Sequence, residues 1–462
     1  MLLNPYHKLD DEEGICLIDI EHMRAHRIDQ ATSEILDAIE ADPNPTLTPE
    51  IEDALNGLGL LPKRPVKSER EPKLRQAPIT SIALFVTQKC NMRCVYCYGD
   101  GGGYGSEGTM DLTTARTAVD WLIDRSGSNK RIGISFFGGE PLLNLTLIKE
   151  IVNYADERAG DSGKTFSFSI TTNGSLLDDA TIAFLQAHAV HVNFSFDGVK
   201  EVQDAQRPLK TPASSYDTIV PKIERLLAAL PHSAGRATVM ADVDPLQAEQ
   251  ALRDLGFSQV AVEAASPSLF DTTAKTSDFA LFFSRSQSAE DAEAQELLRR
   301  IRDRDTPGLK KLLLGSYRIV TRSLDAFING RKKRFFCGAG RSAVAVSCTG
   351  GVYLCHRFVG MDAFRFGDIF GGELDRDLFQ RSPLRSRDQC TGCFAKYVCA
   401  GWCYHDNQGI GGSIFASSDP RCRLMRHSVE LLASLTSRLS PQDLDYLRKE
   451  GLVSRKPCPF DF

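Results

Sequence analysis

The chain has 462 residues, 42% of them apolar and 25% charged, the composition of a globular protein with room for about two to four separate cores. A formal charge of −5 sets up no field that would draw the whole molecule to nucleic acid or anionic lipid, and no apolar run approaches the ~20 residues that span a bilayer. The opening MLLNPYHKLDDEEG lacks the basic flank and apolar stretch of a signal peptide, so a cytoplasmic protein without nucleic-acid or membrane partners is expected.

Residues 1–62 read as a small αβ unit. ICLIDI (15–20) is strand-like, ATSEILDAIEAD (31–42) is an amphipathic helix, and TPEIEDALNGLGLL (48–61) is a second helix closing on Gly. The stretch 63–78, rich in Pro and charge, reads as a linker. From 79 to 265 strands alternate with helices. The strands are SIALFVT (81–87), RIGISFF (131–137), FSFSITT (166–172), VHVNFSF (190–196), RATVMAD (236–242) and QVAVEA (259–264). Helices are expected at 113–126, 145–158, 178–188 and 216–230. Repeated βα units predict a parallel sheet with right-handed crossovers. Residues 266–335 read as helical and charged. The segment 336–426 is Cys- and Gly-rich with short strands, held by metals and not by a large apolar core. In the tail, 427–462, Ser440 and Asp443 suggest a capping box.

Thirteen cysteines in a reducing compartment point to metal ligation or catalysis and not to disulfides. Apart from Cys16 and Cys458 they fall at 90–97 and 337–422. Cys90, Cys94 and Cys97 follow the first strand of the α/β region as C-NMR-C-VY-C. Three thiolates on one short loop hold three corners of a cubane iron–sulfur cluster and leave the fourth iron open; a zinc ion with a remote fourth ligand satisfies the same triplet. FFGGEP (136–141), TTNG (171–174) and SFDG (195–198) end the next three strands, where ligands sit in such folds. Each alone is a glycine turn.

Taken together, the C-x3-C-x2-C triplet, with aromatic Tyr96 before its last Cys, and the strand ends downstream resemble the radical S-adenosylmethionine (SAM) superfamily. The resemblance implies an α/β fold built on a partial (β/α)6 barrel, with a SAM-binding 4Fe–4S cluster on Cys90, Cys94 and Cys97. Gly138, Gly139 and Glu140 would place the SAM amino group, and Tyr96 would be a further cofactor contact. Asn173, Ser195 and Asp197 would serve the ribose and its surroundings. Arg207 would either pair with the SAM carboxylate or stand as a surface residue before a turn. The implied chemistry is one-electron cleavage of SAM to a 5′-deoxyadenosyl radical that takes hydrogen from a substrate carbon.

CTGCFAKYVCAGWC gives Cys390, Cys393, Cys399 and Cys403, followed by Cys422, and Cys337 and Cys355 bracket a Gly-containing segment upstream. This order resembles the SPASM extension of radical SAM peptide maturases. The resemblance implies an outer auxiliary cluster on Cys390, Cys393, Cys399 and Cys422 and an inner one on Cys337, Cys355 and Cys403, three clusters in all. Some relatives have a further cysteine near position 343, which is Ala here; that would leave an iron open to a substrate thiolate. Cys348 is either a fourth ligand or a buried thiol, and Cys16 and Cys458 read as ordinary thiols.

The N-terminal unit looks like the winged-helix-type recognition domain of such maturases, which binds a leader peptide as an added strand. FGGEPLLN, SITTNG and CFAKYVCAGWC look most like enzymes that form thioethers from Cys sulfur to carbon. Two such families compete: maturases of the quinohemoprotein amine dehydrogenase small subunit, with bonds to Asp or Glu methylene, and those of six-cysteine SCIFF peptides. Sulfatase maturases that make formylglycine share the clusters, and a non-catalytic iron–sulfur carrier is the reading from outside enzymology. The implied partners are a cysteine-containing peptide and a flavodoxin or ferredoxin. No general acid or base is identified.

Overall fold

The computed structural model describes residues 3–42, 45–61, 76–240, 242–270 and 278–454; most of the 63–78 linker and Cys458 lie outside them. Three antiparallel strands, β1 (Tyr6–Asp11), β2 (Gly14–Asp19) and β3 (Arg24–Ile28), precede α1 (Gln30–Ala41) and α2 (Pro49–Gly57). The sequence pattern points to β2 and both helices. β1 and β3 escape it because they are half-buried and charged, without apolar alternation. Asp29 and Thr48 start the two helices by accepting a backbone N–H from the first turn. Leu17, on one face of β2, packs with Leu36, Ile39, Leu55 and Leu60. Cys16 and Ile18 point the other way and enter a second core with Leu297, Leu324, Val398 and Val429.

The central sheet begins with β4 (Ser81–Thr87), followed by α3 (Leu112–Arg125), β5 (Arg131–Gly138), α4 (Leu145–Ser162), β6 (Thr165–Thr172), α5 (Asp179–Ala187) and β7 (His191–Ser195). It continues through α6 (Lys200–Gln206), α7 (Ser215–Ala229), β8 (Ala234–Val239), α8 (Pro245–Asp254) and β9 (Gln259–Ala264). β4 to β9 are parallel and lie in sequence order. Alternate strand residues, among them Leu84, Ile134, Ile170 and Phe194, form one core with Leu122, Ile151 and Ile223 of the helices. The opposite face is polar and partly exposed, with Ser135, Ser169, Thr171, Asn193, Ser195, Arg236 and Thr238. α6 and α8 are additions to the sequence-derived elements; both are short and largely polar.

Residues 266–335 supply α9 (Phe279–Arg302), α10 (Thr306–Gly315) and α11 (Ile319–Ile328). The cysteine-rich segment then adds β10 (Ala343–Val346), β11 (Gly351–Tyr353) and β12 (Arg365–Asp368). β10 pairs parallel with β4, and β11 and β12 follow antiparallel, so the sheet has nine strands in the order β12-β11-β10-β4-β5-β6-β7-β8-β9. This corrects the expectation that metals alone hold the segment. Val344, Val346, Val352, Leu354, Phe358, Phe366 and Phe379 are buried in the central core, because docking on the free edge of β4 gives these strands a buried face. Four helices, α12 (Asp388–Thr391), α13 (Lys396–Cys399), α14 (Tyr404–Gly411) and α15 (Asp419–Ser437), carry or flank the later cysteines. α16 (Pro441–Lys449) starts on a capping box of Ser440 and Asp443. Among the described residues no helix is long and apolar enough to cross a membrane.

Candidate functional site

The first cysteine loop leaves the carboxyl end of β4, and the end of β5 lies directly against it. Gly139 N–H donates to Thr87 O at 3.1 Å and Glu140 N–H to Lys89 O at 2.9 Å. Gly138 has φ +136°, and a Cβ there would be driven into Thr87 O, as one on Gly139 would into Lys89 O. Only glycine allows this approach.

Glu140 is fully buried. Its carboxylate accepts from Asn173 N–H at 2.7 Å, Thr172 Oγ1 at 2.8 Å and Leu142 N–H at 3.1 Å. Burial raises its pKa against the pull of these donors. The carboxylate thus ties β5 to β6. Asn173 reaches back to the loop: its amide lies 3.9 Å from Cys90 Sγ and donates to Asn91 Oδ1 at 3.0 Å.

Asp197, also fully buried, accepts from Tyr96 Oη at 2.6 Å, Gln206 Nε2 at 3.0 Å and Thr238 N–H at 3.0 Å. The Tyr96 hydroxyl accepts in turn from Arg207 Nη1 at 2.7 Å. Arg207 is buried, 3.9 Å from Asp197, and its Nε has no hydrogen-bond partner. Arg207 and Cys94 lie within electrostatic reach of each other, so a cation with a free donor stands beside the cysteine loop. That is the fit expected for an anionic ligand group. Asp197 anchors Tyr96 and stands 3.9 Å from Arg207, whereas Ser195 stands half-buried on the polar face of β7.

Cys90, Cys94 and Cys97 lie within electrostatic reach of one another. Cys355 has Cys403 and Cys337 as neighbours, and Cys399 has Cys422, Cys390 and Cys393. The last four line a cavity of about 60 Å³. Burial pushes the Cys94 and Cys399 thiols up to about 12 and that of Cys403 up to about 11. Alone, such thiols stay protonated at neutral pH; bound iron supplies the charge that makes them thiolates. The donor sets fit iron–sulfur clusters. Among the described residues no three His, Cys, Asp or Glu converge as on a single ion; the thiolates of a cubane each bind a different iron. Cys348 is buried in the central core, its Sγ 2.5 Å from where a Cβ on Gly108 would stand, and no other cysteine is among the groups acting on it.

Several residues here carry no sequence signal beyond standing near a cysteine. His356 packs on Phe137 at 4.7 Å. Arg357 lies over Tyr98 at 5.2 Å and bonds Asp406 at 3.0 Å. Arg421 bonds the same carboxylate at 3.3 Å. Nothing local distinguishes these side chains from surface charges.

Residues 84–255 match the family model of the Radical SAM superfamily, so the chain carries a radical SAM domain. Among curated proteins it is 34% identical over 139 residues to the uncharacterized protein MJ0907 of Methanocaldococcus jannaschii, covering 30% of this chain and 46% of that one. It is 28% identical over 145 residues to the cysteine-type anaerobic sulfatase-maturating enzyme of Clostridium novyi, covering 30% and 38%. The chain therefore spans less than half the length of these relatives. Its fold is similar to that of anSMEcpe, solved with AdoMet and the Cp18Cys peptide, at TM-score 0.62 and 17% identity over 81% of this chain and 100% of that one. It is also similar to Streptococcus suis SuiB bound to precursor peptide SuiA, at TM-score 0.50 and 14% identity over 92% and 99%.

Proposed function

We propose that the chain is a radical SAM enzyme that modifies a peptide or protein. Its product in this reading is a thioether from Cys sulfur to the methylene of Asp or Glu, in the small subunit of quinohemoprotein amine dehydrogenase. The observation that carries the reading is the association of ten cysteines into sets of three, three and four, the first beside a buried arginine with a free donor. SAM and three iron–sulfur clusters are the cofactors: Cys90, Cys94 and Cys97 hold the first, Cys337, Cys355 and Cys403 the inner auxiliary cluster, and Cys390, Cys393, Cys399 and Cys422 the outer one. When bound, these groups supply one-electron chemistry, hydrogen abstraction from the substrate carbon and removal of the remaining electron, so that each new bond takes two hydrogens from the substrate.

The chain's own residues bind and orient. Arg207 offers its free donor to the SAM carboxylate, and Tyr96 and Asp197 hold Arg207 in place. Asn173 orients the Cys90 sulfur. The polar face of β6 to β8 receives the substrate, whose leader adds as a strand to an edge of the β1-β2-β3 sheet. A flavodoxin or ferredoxin supplies electrons.

The test is mass spectrometry of the amine dehydrogenase small subunit after anaerobic co-expression. Loss of two hydrogens per bond, with cysteines no longer alkylatable, is expected. Cys90→Ala, Cys94→Ala or Cys97→Ala should abolish 5′-deoxyadenosine formation; retained turnover removes the radical assignment. The likeness to the Clostridium novyi enzyme favours a second reading, formylglycine formation in a sulfatase. Its product is an aldehyde, which a hydrazide probe would reveal.

A further inference from the structure

Outside the first cysteine loop, Arg421 is a buried arginine with two unpartnered donors among the described residues. Its side chain is 5% exposed. It precedes Cys422 in sequence, and its guanidinium stacks over Trp402 at 4.7 Å, the residue before Cys403. Phe283 and Phe279 cover it at 5.3 Å and 5.9 Å. Nη2 reaches Asp406 Oδ2 at 3.3 Å, but Nε and Nη1 are buried with no hydrogen-bond partner. Cys403 and Cys399, one from each auxiliary set, lie within electrostatic reach of it.

Asp406 does not neutralise Arg421 alone. The same carboxylate accepts from Arg357 Nη1 at 3.0 Å, Ser266 Oγ at 2.7 Å and Trp402 Nε1 at 3.2 Å. Arg357 in turn bonds Glu263 at 3.3 Å, and Glu263 pairs with Arg236 on the polar face of β8 at 2.5 Å. The ladder holds three arginines to two carboxylates, leaving a surplus cation at its buried end. A guanidinium buried with two free donors is strongly disfavoured unless acceptors meet it. Sulfurs of clusters bound at the neighbouring cysteines would be acceptors of the right kind, and donors to cluster sulfur set cluster potentials.

We infer that Arg421 is a positioning residue between the two auxiliary clusters, donating through Nε and Nη1 to cluster sulfur and holding their reduced forms stable. This deepens the cluster assignment above and rests on it. A cation beside a cluster favours the more negative, reduced state, so Arg421 raises the potential at which an electron withdrawn from substrate is accepted.

The experiment is an anaerobic redox titration of the iron-loaded, full-length protein followed by electron paramagnetic resonance, with iron and sulfide counted beforehand. Arg421→Gln should move the midpoint of at least one auxiliary cluster to more negative values and leave the SAM-binding cluster where it is. Asp406→Asn, which removes the opposing charge, should move it to more positive values. Unchanged midpoints in a fully loaded Arg421→Gln, or shifts of the same sign in both variants, overturn the role. Where Arg421→Gln fails to retain iron, the sign of the Asp406→Asn shift decides. Wild-type protein with iron for a single cluster overturns the cluster assignment itself, and the inference with it.

Discussion

Replacing Tyr96 with Phe removes one oxygen and nothing else, and that oxygen joins the two charged residues behind the first cysteine loop. It donates to Asp197 at 2.6 Å and accepts from Arg207 at 2.7 Å. Bonds of a hydroxyl to a charged partner contribute ~1.5–3 kcal/mol each. Asp197 keeps Gln206 and Thr238 as donors, whereas Arg207 keeps only the carboxylate at 3.9 Å. The loss should therefore be closer to one such bond than two, about 3 kcal/mol. With a urea slope of about 3 kcal/mol per molar, the midpoint should fall by about 1 M. An Arg207 free to rotate should bind SAM about tenfold more weakly, or about 1.4 kcal/mol. Urea titration followed by tryptophan fluorescence, which reports on Trp121 in the central core and on Trp402, measures the first effect. Equilibrium dialysis against labelled SAM under argon measures the second. If both midpoint and affinity match the wild type, the Asp197–Tyr96–Arg207 chain does not support the site.

Gly139→Ala should force the Lys89–Cys90 backbone away and lower the iron content of the first cluster, at a stability cost of about 3 kcal/mol; full loading would show that the loop gives way freely. Cys337→Ala or Cys403→Ala should spare 5′-deoxyadenosine formation more than crosslinking, whereas equal loss of both would indicate a structural role. Asp11 is held well below the usual carboxylate range chiefly by Arg27, with Ser434 of α15 also donating. Its folded pKa is depressed, so its stabilisation is present above about pH 4 and is lost as pH falls below that value. Amide exchange of β1 and β2 should accelerate only on such acidification in the wild type, and already at pH 7 in Asp11→Asn. Equal exchange in the two proteins at pH 7 would show that Asp11 does not dock the N-terminal unit.

What the sequence determined by itself is local. A strand shows in its two-residue period, a cap in its first hydroxyl or carboxylate, and a cluster loop in thiols with three and two residues between them, because each depends on a few neighbouring residues. The order of β4 to β9, the ends at 138, 173 and 197, and the capping box at Ser440 all follow from such patterns. Tertiary structure decided what depends on partners far along the chain. β10 pairs with β4 across more than half the sequence, and the edge it covers is invisible to any local pattern. The motifs mark Glu140 and Asp197 as cofactor-site residues, but only the fold shows that their carboxylates accept from Asn173, Thr172, Gln206 and Thr238 and so tie neighbouring strand ends together. Arg421 reads as a surface charge beside a cysteine. Its burial between Trp402 and Phe283 arises because α9 packs against α15, the helix that carries it, and desolvation, which sequence does not encode locally, turns a common cation into a candidate for tuning redox centres.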